Sequence, residues 1–126
     1  MTVRRISSGS AYETRFGYCR AVVADGRVHV SGTVGMDPAT GAVPEDVTDQ
    51  CRLALGIIER ALAGAGASFA DVVRVRYILP ERSDFAPCRP LLSAAFGENP
   101  PAATMIVAGL IDPAMKIEIE VDARLP

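Results

Sequence analysis

The stretch NPPAATMIVAGLIDPAMKIEIEVDAR, residues 99–124, decides the fold. It reads as two strands. Ala103 to Ala108 is a short apolar run entered through Pro100 and Pro101, and Lys116 to Arg124 alternates strictly. In the second run Ile117, Ile119, Val121 and Ala123 share one face, and Lys116, Glu118, Glu120, Asp122 and Arg124 share the other, because successive strand side chains point to opposite sides. The apolar face needs a packing layer. The acidic face is ordinarily solvated, and only a specific neighbour gives one of its carboxylates a second use.

Working outward, the upstream chain supplies that layer. Asp46 is positioned to cap a helix, and Val47, Cys51, Ala54, Leu55, Ile58, Ala61, Leu62 and Ala65 follow at spacings of three and four, one apolar stripe. Gly64 and Gly66 end it, with Gly66 suited to a left-handed terminal position. Ser68 to Asp71 is a short turn or cap. A strand from Val72 to Leu79 follows, with Val73, Val75, Tyr77 and Leu79 expected on one face and Arg74, Arg76 and Ile78 on the other. A second helix is expected through about Asp84 to Phe96, irregular around Ala86 to Arg89 because Pro87 and Pro90 lack an N–H, and closed by Gly97.

Toward the start, Val3 to Ile6 is a short strand and Ser7 to Arg15 a polar loop. Tyr18 to Ala24 and Val28 to Ser31 are strands joined at Asp25-Gly26, a pair suited to a type I′ hairpin turn. Gly32 to Pro44 is a loop with a turn at Asp37 to Gly41. The expected order is β-β-β-α-β-α-β-β: one α+β domain over residues 1–126, a mixed six-stranded sheet with both helices on one face. Tyr18, Ile78 and Met105 suggest that the other face is not simply polar, which points to a homo-oligomer.

Composition narrows the function. The chain has 126 residues, 49% hydrophobic and 22% charged, with net charge −2, so a nucleic-acid partner is not indicated. Its apolar runs are too short for a membrane span, and no signal-peptide core is seen. Cys19, Cys51 and Cys88 fit neither a disulfide framework nor a zinc motif and suit a reducing, cytoplasmic setting. With His29 alone, a Ser-His-Asp hydrolase or a metal-dependent enzyme is disfavoured, and no metal or cofactor is expected.

Four segments carry a family resemblance over nearly the whole length: GYCRAVVADGRVHVSGTVGMDPATGAVPED (17–46), DVTDQCRLALGIIERALAGAG (46–66), DVVRVRYIL (71–79), and PPAATMIVAGL with MKIEIEVDA near the end. The chain resembles the reactive intermediate deaminase (Rid, YjgF-like or L-PSP endoribonuclease-like) family. That resemblance implies a chorismate-mutase-like fold, a homotrimer with clefts between subunits, and hydrolysis of small imines or enamines without a cofactor. It implies Glu118 as the catalytic acid and Tyr18 and Arg89 as substrate-binding positions. The family's carboxylate-clamping arginine falls at Ala103, and its nearby cysteine at Met105. A methyl group cannot make the bidentate bonds of a guanidinium, so the substrate should differ from the usual 2-imino acids, or be held through Arg89 or Arg20. The alternatives are a non-catalytic small-molecule-binding trimer and, behind it, an endoribonuclease.

Overall fold

A computed structural model describes residues 2–126. Six strands form one mixed sheet: β1 (Arg4–Ile6), β2 (Ala21–Ala24), β3 (Arg27–Val34), β4 (Val72–Leu79), β5 (Ala102–Val107) and β6 (Glu118–Arg124). Their spatial order is β1-β2-β3-β6-β4-β5, with β4 and β5 parallel and the other pairs antiparallel. The alternating run thus becomes the inner strand β6, between β3 and β4. Ile117, Ile119, Val121 and Ala123 are all buried, so cutting Ile119 to Ala should cost about 2–5 kcal/mol.

Helix α2 (Val47–Ala65) lies on this apolar face with its whole expected stripe buried. Asp46 accepts from the N–H groups of Thr48 and Asp49, and Gly66 closes the helix at φ 86°. Helix α3 (Arg89–Phe96) covers the same core, entered through 3-10 turns at Arg82–Asp84 and Ala86–Cys88, as the two prolines require. Buried Gln50 ties the layers together. Its Nε2 donates to the carbonyls of Pro44 (2.7 Å) and Ala114 (2.9 Å), and its Oε1 accepts from Lys116 N (2.8 Å).

Several expectations need correction. The polar loop at Ser7 to Arg15 contains helix α1 (Ala11–Phe16), started by the Ser10 side chain accepting from Tyr12 N and stopped by Gly17 in the left-handed region. The order is therefore β-α-β-β-α-β-α-β-β. Tyr18 to Arg20 precede β2 instead of belonging to it, and β3 runs on through Gly32 to Val34, where a loop was expected. A register shift between Val72 and Arg74 turns Val73 outward and buries Val72, reversing the face assigned to Val73.

The largest correction concerns β5. It pairs with β4, and Met105 stands beside Tyr77 while Ile106 stands beside Ile78. Tyr77 neighbours Ile119, on the helix side, and Ile78 neighbours Glu118, on the open side. Ala103 and Met105 therefore lie on the helix side of the sheet edge, and Met105 does not contribute to the open face. Within one chain Ala103 and Met105 thus lie on the opposite side of the sheet from Glu118.

Candidate functional site

Two recesses divide the sequence-predicted site residues. The first, about 90 Å³, is bordered by Tyr18, Arg20, Gly32, Thr33, Met115 and Glu118 among others. The second, about 430 Å³, is bordered by Phe85, Arg89, Phe96, Ala103 and Met105 among others. So Tyr18 and Glu118 come together with Arg20, whereas Arg89, Ala103 and Met105 form a separate, mostly apolar hollow.

The first recess is built where the chain stops being regular. Glu118 opens β6 opposite Val34, just past the irregularity between Val30 and Thr33. Its carboxyl group packs on Gly32: a Cβ built there would sit 2.9 Å from Cδ and Oε2 of Glu118. Burial pushes the Glu118 carboxyl above its ordinary pKa, with the positive charge of Arg20 opposing that shift. Such a carboxyl is poised to give and take protons closer to neutral pH than a solvated strand acid.

Arg20 borders the recess and is held by Glu13. Arg20 Nε donates to Glu13 Oε2 at 3.3 Å, and Nη1 donates to Gly32 O and Thr33 Oγ1, both at 2.9 Å. Glu13 also accepts from Ser7 Oγ (3.0 Å), Ser8 N (3.2 Å) and Ser8 Oγ. Burial alone would raise the Glu13 pKa; the bonds from Ser8 and Ser7 and the Arg20 charge outweigh it and hold the carboxyl low. Both residues are buried, at 3% and 6% exposure. The Tyr18 ring lies over the guanidinium, 5.5 Å from Cζ to the ring centroid.

Sequence reasoning missed Glu13, Ser8 and Gly32. Glu13 lay in a segment read as loop, and Gly32 in a motif that gave no sign of a carboxyl packed on it. His29 is exposed and joined to Asp122 Oδ1 at 2.6 Å, away from this recess. Among the described residues no cluster of His, Cys, Asp or Glu could hold a metal ion, and no helix is long and apolar enough to cross a membrane.

Comparison with known proteins agrees with this architecture. The family described as Endoribonuclease L-PSP matches residues 8–125. A rat protein named 2-iminobutanoate/2-iminopropanoate deaminase is 32% identical over 120 residues, 94% of this chain and 88% of that one. A RutC family protein of Pyrococcus horikoshii is 33% identical over 104 residues, 82% of each chain. The crystal structure of Rv2704 from Mycobacterium tuberculosis, a member of the YjgF/YER057c/UK114 family, superposes with a TM-score of 0.87 at 39% identity, covering 98% of this chain and 99% of that one. The chain belongs to the RidA/YjgF/L-PSP family, and its fold is the chorismate-mutase-like α+β fold of that family.

Proposed function

We propose that this protein hydrolyses a small imine or enamine in a cleft between subunits of a homotrimer, with Glu118 moving the protons. The observation that carries the reading is Glu118 itself, half-buried on Gly32 and sharing one recess with Tyr18 and the Arg20 guanidinium. The names of the curated relatives support the reaction class.

In the reaction, water adds to the carbon of the C=N bond, forming a C–O bond while the nitrogen takes a proton. The C–N bond then breaks, ammonia leaves, and a carbonyl forms. Glu118 would accept the proton of the attacking water and return one to nitrogen, so no oxidant, metal or cofactor is needed. Tyr18, at the mouth, would orient the substrate.

The trimer is proposed from β5. It ends the sheet, its sequence AATMIV carries no charge, and Met105, Ile106 and Val107 are exposed along it. A free apolar edge of this kind calls for a covering chain. A second subunit would bring its Arg89, Ala103 and Met105 to the Glu118 recess, uniting the two half-sites. Because Ala103 offers no clamp, the substrate is proposed to differ from the usual 2-imino acids. A cytoplasmic setting is proposed from the three free cysteines.

The test is ammonia release from freshly generated imines, with and without a free carboxylate, compared with the uncatalysed rate. Acceleration at stoichiometric turnover or beyond supports the reading. Ligand binding without any acceleration points to the non-catalytic trimer instead.

A further inference from the structure

Arg20 leaves one arm of its guanidinium unused. Its Nε and both N–H groups of Nη1 are engaged by Glu13, Gly32 and Thr33, and among the described residues the two N–H groups of Nη2 have no acceptor. The side chain is more than nine-tenths buried, yet no side-chain nitrogen or oxygen in the described residues is both shut off from solvent and unpartnered. Nη2 therefore opens onto the space that Arg20 borders. That space is the Glu118 recess and an adjoining hollow of about 230 Å³ that shares Ser8, Pro38 and Ile57 with it.

Charge and lining decide what Nη2 can hold. The positive charge of Arg20 is already matched by Glu13, in a buried pair whose remaining oxygens are taken by Ser7 and Ser8. Glu118 adds a carboxyl that is neutral or negative, and Val34, Met36, Ile57 and Met115 add apolar wall. Within one chain Arg60, bordering the adjoining hollow, is the other cation nearby, on an exposed stretch of α2. A carboxylate entering here would give up its hydration, gain little uncompensated positive charge, and stand near Glu118. A neutral carbonyl oxygen loses less on entry and accepts the free N–H directly.

We infer that Nη2 of Arg20 is the donor for a neutral carbonyl oxygen of the substrate, which makes that substrate a carbonyl-conjugated imine or enamine without a free carboxylate, such as an α-imino amide. This rests on the hydrolase reading above and names its substrate class. It also gives the absence of an arginine at Ala103 a chemical meaning: with no carboxylate to clamp, none is required.

The experiment is a binding titration of the full-length protein with 2-oxobutanamide and with 2-oxobutanoate, the products expected from the two substrate classes. The guanidinium 15N resonances of Arg20 are followed by NMR. The amide should bind at least tenfold tighter than the carboxylate and shift the Arg20 Nη resonance. The double variant Glu13→Gln with Arg20→Gln, which removes the ion pair as a unit, should lose at least tenfold in amide affinity. Should that variant fail to fold, the wild-type comparison decides alone. Equal or tighter carboxylate binding, a silent Arg20 resonance, or no binding of either compound overturns the inference. Binding needs no turnover, so amide affinity without catalysis would remove the hydrolase reading and leave the Arg20 contact standing. Efficient hydrolysis of carboxylate-bearing imines would do the reverse.

Discussion

Gly32 and Glu118 occupy adjoining space across the β3–β6 junction, and only the missing side chain of Gly32 lets the carboxyl lie where it does. A Cβ at that position would stand 2.9 Å from Cδ and Oε2 of Glu118, inside any real contact distance. Gly32 has no left-handed φ, so space, not backbone conformation, explains the glycine.

Gly32→Ala should therefore displace the Glu118 carboxyl while leaving the fold intact, because what must move is the end of a flexible side chain. Turnover is expected to fall at least tenfold, with a melting temperature lowered by only a few degrees, about 1 kcal/mol or less. Steady-state kinetics and calorimetry on the variant check this.

Stability should respond to pH in a direction set by Glu118. Its folded pKa lies above the ordinary 4.5, so between 4.5 and the folded value the native state holds more protons than the unfolded chain. Its contribution is thus most favourable at low pH and is lost as pH rises through the folded pKa. Glu118→Gln removes that loss, so the variant's advantage over wild type should grow as pH rises from 4.5. Glu13, held low, acts in the opposite sense, stabilising above 4.5 and losing that effect as pH falls through its folded pKa. Denaturant unfolding from pH 4 to 8 on both proteins measures the difference.

Much of this architecture is legible in the residues themselves. The alternation of Ile117 to Ala123 and the stripe from Val47 to Ala65 each repeat long enough to name a buried face, and Asp46 and Gly66 mark the ends of α2. Helix α1 is not legible because six residues are too few for a period. What holds it is Ser10 at its start and Glu13, whose burial depends on Arg20, seven positions along the chain. The face of β5 was also hidden. Period two says which residues share a side, but only the neighbour says which side, and the insertion of β4 between β6 and β5 reverses the answer for Met105. The Val73 reversal has the same root, an irregularity that no alternating pattern announces.

The edge of β5 makes a separate demand. Ile106→Lys places a charge on an exposed apolar edge without touching the buried core, and charged side chains are what edge strands use to refuse a partner. Light scattering at micromolar concentration should give a trimer mass for wild type and a monomer mass for the variant. A monomeric wild type would remove the inter-subunit cleft from the account.

Ala103→Arg tests whether β5 of one subunit reaches the Glu118 recess of another. Ala103 is exposed at the sheet edge, so the longer side chain can extend outward without overpacking the core. The new guanidinium should add turnover of 2-imino acids, at least tenfold over wild type, by supplying a bidentate carboxylate partner. An unchanged preference would separate Ala103 from the reacting centre.

The most direct measurement is ammonia release from an α-imino amide by wild type and by Glu118→Gln, with both melting temperatures recorded. A residue that moves protons in the transition state contributes roughly 10²-fold or more. A loss of that size in kcat is expected, with a melting temperature at neutral pH equal to or above wild type. Turnover within a few-fold of wild type in Glu118→Gln would contradict it, because the proton would then be moving through some other group.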